Sequence, residues 1–174
     1  MEKKIFFIDF DGTLMRDDKT ISDKNREALR NAVDQGHYIA LATGRAVSSG
    51  RRIAKELELT RPGCYLVAYN GGTIYDFSAD CILSNKRLPI EYAEYLLREA
   101  IEAGIHIQTY SDTQVLAAER NKELDFYVKK TGMPCRITGN LNSMLYEEPP
   151  KMLLIDLEHK ERLEGACRVG ERKV

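Results

Sequence analysis

IFFIDFDGTL, residues 5–14, is the stretch on which the rest of the chain turns. Five of its first six residues are apolar, as in a buried strand. Two carboxylates, Asp9 and Asp11, then stand one residue apart, followed at once by Gly12 and Thr13. Like charges held this close repel, and each resists burial. A cation, or a group that must be attacked, belongs beside them.

The composition is that of an ordinary globular chain. Its 174 residues suffice for one domain or for a domain with an insertion, and 43% are hydrophobic against 30% charged. A formal net charge of −1 gives no reason to expect nucleic acid or an anionic membrane surface as a partner. No apolar run approaches ~18 residues, so no transmembrane helix is expected. The opening MEKKIFFIDFDG breaks its apolar run at Asp9 and lacks a small-residue cleavage site, unlike a signal peptide. Cys64, Cys81, Cys135 and Cys167 are widely spaced with no C-x-x-C, which reads as thiols in a reducing cytosol and predicts a cytoplasmic protein.

The first half alternates strand and helix. Residues 4–10 read as a strand, and the polar loop MRDDKTIS follows. Ser22 can cap a helix running to about Gln35, with Ala28, Leu29, Ala32 and Val33 on one face and Gly36 as its stop. HYIALAT is a second strand, residues 47–59 a second helix presenting Ile53, Ala54 and Leu57, and YLVAYN a third strand. Apolar strands separated by amphipathic helices predict a parallel sheet covered on both faces.

After Asn70 the rhythm changes. GGTIYDFSADCILSNKRL reads as short antiparallel strands, and Pro89 opens a helix with Tyr92, Tyr95, Leu96, Ala100 and Ile101 at helical spacing, a stripe expected to be core. HIQTYS and TQVLAAE read as a hairpin turning at Ser111 and Asp112, NKELDFYVKKTG as a helix and KMLLIDLE as a strand. The expected fold class is α/β, with a core over residues 1–80 and an α+β domain over 81–174.

In an open parallel sheet, ligands gather beyond the carboxyl ends of the strands. Three strands here end in polar residues: Asp9 to Thr13, Thr43-Gly44-Arg45, and Asn70-Gly71-Gly72. Glycines let backbone donors approach an anion, Thr43 can donate to a phosphoryl oxygen, and Arg45 opens the next helix, whose N-terminus favours negative charge. A carboxylate can attack phosphorus to form an acyl-phosphate. A second acid two residues on points to the same side of an extended chain, where it can protonate the leaving oxygen and later activate water. A Mg²⁺ ion would offset the repulsion between the first carboxylate and the phosphate. A D-x-D-G loop also opens a calcium EF-hand, but position 12 of that loop would be Thr20 rather than Glu, and a strand precedes it. His37, His106 and His159 share no metal-ligand spacing.

Asp9-Phe10-Asp11-Gly12-Thr13-Leu14 resembles the D-x-D-G-T-L first motif of the haloacid dehalogenase superfamily. The resemblance implies a Rossmann-like core with an inserted cap, Asp9 as nucleophile and Asp11 as general acid and base. It also implies Mg²⁺ held by the Asp9 side chain and the Asp11 backbone carbonyl. Thr43 in LATGR is similar to the second motif, with Gly12, Gly44 and Arg45 as further phosphate-side residues. Asn70 and Gly71 are substrate-side candidates, and the spacing to Asn70-Gly71-Gly72 is similar to the Cof-type (type IIB) branch, in which a cap follows the third core strand. The activity implied is Mg²⁺-dependent hydrolysis of a small phosphorylated metabolite, a sugar phosphate or phosphorylated cofactor. A phosphomutase of similar fold shares the same core residues.

Two family motifs, a lysine after the cap and an acidic G-D-x-x-N-D-type loop, do not occur; Lys151 precedes an apolar strand of the cap and is not matched to the first of these. The chain therefore reads as the front part of a phosphatase, lacking roughly another half domain. The alternative is a weak or inactive fragment. In either case IFFIDF becomes an edge strand, which predicts a homo-oligomer formed at the Ile5–Phe10 edge.

Overall fold

The computed structural model describes residues 2–140, 142–159 and 161–164. Cys167 and most of the closing stretch 160–174 lie outside the described residues. The chain forms two compact units, residues 1–86 and 87–174. No helix among the described residues is long and apolar enough to cross a membrane.

The first unit is a five-stranded sheet in the order β1-β2-β3-β4-β5, made of β1 (Ile5–Asp9), β2 (Tyr38–Ala42), β3 (Cys64–Ala68), β4 (Thr73–Asp76) and β5 (Cys81–Asn85). The first three strands are parallel, and the hairpin β4–β5 continues the sheet antiparallel, carrying it past residue 80. Helix α1 (Asp23–Asp34) is capped by the Ser22 hydroxyl, which accepts from Asn25 N–H at 3.2 Å, and Gly36 follows it at φ 81°. Helix α2 (Val47–Glu56) buries Gly50, Ile53 and Ala54. Arg45 therefore lies ahead of the helix, with Ala46 at the cap position, rather than in its first turn.

Both helices cover one face of this sheet. Paired residues of parallel strands share a face, so Phe6 and Ile8 align with Ile39 and Leu41, and these with Cys64 and Leu66. Phe6, Ile8 and Ile39 line one hollow with Ala28, Leu29 and Ala32 of α1, while Leu66 meets α2 at Gly50. Successive right-handed crossovers running in one direction place their helices on one side. The opposite face carries Ile5, Phe7, Tyr38, Tyr65 and Val67, and neither α1 nor α2 lies over it. Ile5 is 50% and Phe7 65% exposed. The expectation of cover on both faces is not met there, and β1 is an edge strand.

The second unit has a four-stranded sheet in the order β8-β7-β6-β9: β6 (His106–Tyr110), β7 (Val115–Ala117), β8 (Cys135–Ile137) and β9 (Met152–Ile155). Helix α3 (Ile90–Ala103) follows Pro89 and ends at Gly104, whose φ of 64° is the left-handed stop that glycine adopts without strain. Leu97, Ala100 and Ile107 centre the core, with Leu96, Leu145, Met152 and Leu154 against them. The fully buried residues of α3 are Ala93, Leu97 and Ala100; of the expected stripe Ala100 is buried, Tyr95 and Leu96 are half-buried, and Tyr92 and Ile101 are exposed. Helix α4 (Lys122–Thr131) is capped by Asn121, whose Oδ1 accepts from Leu124 N–H at 2.9 Å. KMLLIDLE supplies β9, which pairs antiparallel with β6.

Candidate active site

β1, β2 and β3 end side by side, because Asp9 pairs with Ala42 and Ala42 with Val67. Beyond Asp9 the chain turns back on itself: Leu14 N–H donates to the Asp9 carbonyl at 3.1 Å and Met15 N–H to that of Phe10 at 2.8 Å. Gly12, at φ 79°, makes this turn, a conformation glycine adopts without the Cβ penalty. Its N–H donates to the Met15 carbonyl at 3.1 Å, so this backbone donor, read from the sequence as facing an anion, is already in use.

Phe10 points into the core with no exposed surface, which leaves its neighbours Asp9 and Asp11 outside. The two carboxylates have different surroundings. Asp9 is exposed and its side chain engages no donor or cation among the described residues. Asp11 is clamped. Arg45 Nε donates to one carboxylate oxygen at 3.0 Å and Arg45 Nη2 to the other at 2.6 Å, while Lys19 Nζ donates to that second oxygen at 3.2 Å. The Arg45 guanidinium, the largest influence, holds the Asp11 carboxyl below the usual carboxylate range, and Lys19 acts in the same sense against partial burial.

The second loop is fixed by the third. Thr43 is buried, its N–H donates to Val67 carbonyl at 2.9 Å, and its hydroxyl accepts from Arg45 N–H at 3.2 Å. The hydroxyl's own hydrogen has no acceptor among the described residues. Asn70 N–H donates to Thr43 carbonyl at 3.2 Å and Tyr69 N–H to Arg45 carbonyl at 3.1 Å. Tyr69, Asn70 and Gly71 all have positive φ, at 52°, 57° and 100°. Side chains rarely adopt this at two adjacent positions, and the two hydrogen bonds to the Thr43–Arg45 loop hold them there. Asp11, Thr43, Gly44, Arg45, Asn70 and Gly71 are thus gathered at one sheet edge with Asp9. Lys19 was not singled out in the sequence, where MRDDKTIS reads only as a polar loop. The acid pair Asp17-Asp18 followed by Lys-Thr was the local sign of a turn that folds it back.

The chain matches the haloacid dehalogenase-like hydrolases over residues 6–167 and belongs to them. Over 146 residues it is 32% identical to the 5-amino-6-(5-phospho-D-ribitylamino)uracil phosphatase YwtE of Bacillus subtilis, a match covering 79% of this chain and 47% of that protein. A second Bacillus subtilis phosphatase of the same name, YcsE, is 42% identical over 73 residues, covering 42% of this chain and 28% of the relative. Among solved structures, a haloacid dehalogenase-like hydrolase from Bacteroides thetaiotaomicron superimposes with a TM-score of 0.83 at 25% identity, covering 95% of this chain and 62% of that one. A Thermotoga maritima protein, TM0651, gives 0.80 at 26% identity over 100% of this chain and 64% of its own. The lineage is that of Cof-type phosphoric monoester hydrolases. The chain spans less than half the length of these two curated relatives.

Proposed function

We propose that the carboxyl edge of the first sheet hydrolyses a small phosphomonoester through an aspartyl-phosphate on Asp9. The observation that carries this reading is the contrast between the two acids: Asp9 without a partner among the described residues, Asp11 held by cations. An Asp9 oxygen attacks phosphorus as the bond to the leaving oxygen breaks, and Asp11 gives that oxygen a proton. Water then attacks the phosphorus of the acyl-phosphate, Asp11 takes a proton from it, and Asp9 and inorganic phosphate separate. The Thr43 hydroxyl and Arg45 bind phosphoryl oxygens, and Asn70 and Gly71 lie on the substrate side.

The donor chemistry fits Mg²⁺. The Asp9 carboxylate and the Asp11 backbone carbonyl would hold it, both oxygen donors of the kind Mg²⁺ takes while keeping several waters. No group of three or more His, Cys, Asp or Glu occurs among the described residues that could form a protein cage. When bound, the ion supplies positive charge between carboxylate and phosphoryl group.

The substrate class follows the two Bacillus relatives, phosphatases of a small phosphorylated metabolite by name. We place the reaction in the cytoplasm, in keeping with Cys64, Cys81 and Cys135, all thiols outside any disulfide. Phosphate release from a panel of sugar phosphates and phosphorylated cofactors, compared between wild type and Asp9→Asn, tests the reading. Turnover in the wild type that is lost in the variant supports it; a near wild-type rate in Asp9→Asn overturns it. A second proposal rests on the exposed β1 edge: two copies of the chain associate there, pairing backbone groups and covering Ile5 and Phe7.

A further inference from the structure

All three donors on the Asp11 carboxylate are cationic, two from Arg45 and one from Lys19. The Asp11 side chain stays 47% exposed, and the oxygen that accepts only from Arg45 Nε keeps room for a further partner. The two cations are not held alike. The Arg45 side chain is 11% exposed and makes paired bonds, whereas that of Lys19 is 44% exposed and makes one longer bond. Contacts of the second kind contribute little to stability.

The position of Lys19 is nonetheless built. Residues 16–20 close a turn in which Arg16 N–H donates to Thr20 carbonyl and Lys19 N–H to Arg16 carbonyl, both at 3.0 Å. The Asp18 carboxylate braces it, accepting from Thr20 N–H at 2.9 Å and from the Thr20 hydroxyl at 2.6 Å. Lys19 itself sits at φ 65°, a strained conformation for a lysine. A braced turn and a strained backbone aim this ammonium at the catalytic edge, yet its contact there is weak. Such a group is poised to exchange partners.

We infer that Lys19 is a phosphate-binding residue, resting on Asp11 in the ligand-free chain and passing to the phosphoryl oxygens of a bound phosphomonoester, so that substrate relieves Asp11 of one of its two cations. The inference rests on the phosphoryl-transfer reading of the site. Charge favours the exchange, because a phosphoryl dianion attracts the ammonium more strongly than a single carboxylate does.

Binding of inorganic phosphate to the purified chain, followed by calorimetry and by amide shifts in NMR spectra, tests the inference without relying on turnover. Lys19→Met should weaken binding about 5-fold, the equivalent of one exposed charge-assisted contact, and Lys19→Arg should restore most of it. Lys55→Met removes the same charge from the last turn of α2 and should leave binding unchanged. Circular dichroism should be the same in all four proteins. Thr43→Ala separates the two readings. If it weakens phosphate binding while Lys19→Met matches wild type, the Lys19 assignment is overturned and the site stands. If wild type does not bind phosphate, or Thr43→Ala binds it equally, both are overturned. Equal losses in Lys19→Met and Lys55→Met would reduce the effect to net charge and overturn the Lys19 assignment.

Discussion

At the scale of single residues, the placing of Asp9 and Asp11 on one side follows from one alternation at the end of β1. Phe10 takes the core, and the acids on either side of it meet solvent. If Asp11 protonates the leaving group, its loss should matter most where that group is a poor one. Asp11→Asn should therefore reduce hydrolysis of an alkyl phosphate far more than that of an activated aryl phosphate. Equal losses on both would argue against the acid role. The described residues offer Mg²⁺ few protein oxygens, so binding in the absence of phosphate should be weak, with a dissociation constant of about a millimolar or above. Calorimetry giving a micromolar value would mean that other acids, such as Asp17 or Asp18, complete the site. The convergence of Asp9, Thr43 and Asn70 was legible in the sequence because each ends an apolar strand. The clamp on Asp11 was not, because the ion pairs to Lys19 and Arg45 depend on loop geometry that no periodicity encodes.

At the scale of elements, strands and helices of the first unit were readable from apolar runs and caps, and the hairpin β4–β5 from its turn residues. Two features escaped. β8 is only three residues long, Cys135–Ile137, too short for an alternation to show. In α3 the fully buried stripe is set by the small residues Ala93 and Ala100 with Leu97, which let the helix approach its sheet, while Tyr95 is half-buried and Tyr92 exposed. Helix α2 depends on the same kind of close approach. A Cβ on Gly50 would lie 2.4 Å from a Leu66 methyl carbon that is wholly buried. Gly50→Ala should cost about 1–3 kcal/mol in urea unfolding; an unchanged midpoint would show that Leu66 can move aside. In the second unit, Asn121 Nδ2 and Gln108 Oε1 flank the His106 ring at 2.9 and 3.2 Å. Burial, the largest influence, lowers the His106 pKa from its ordinary 6.5, while Gln108, Glu123 and Glu119 oppose it. The unfolded chain then takes up the proton first, so this contribution to stability is present above about pH 6.5 and is lost as pH falls from there through the lowered value of the folded chain. Thermal unfolding should show the loss as pH falls below about 6.5 in wild type and a smaller one in His106→Gln. An equal loss in both would place the effect on other groups.

At the scale of the whole molecule, the first sheet has helices on one face, and on the other Ile5 and Phe7 are 50% and 65% exposed along an edge strand. Unpaired edge groups beside apolar side chains favour association. Light scattering should find a dimer or larger species at tens of micromolar for the wild-type chain, and a smaller species for Phe7→Lys. A monodisperse wild-type monomer at that concentration would refute the edge argument. The central claim, that Asp9 takes the phosphoryl group, is open to a direct chemical measurement. The chain is incubated with acetyl phosphate and Mg²⁺, quenched in acid, reduced with borohydride and mapped by peptide mass. An aspartyl-phosphate is reduced to homoserine, so the expected result is conversion of Asp9, with Asp11 untouched. Conversion of Asp11 instead, or an unmodified Asp9 in a chain that releases phosphate, would contradict the mechanism.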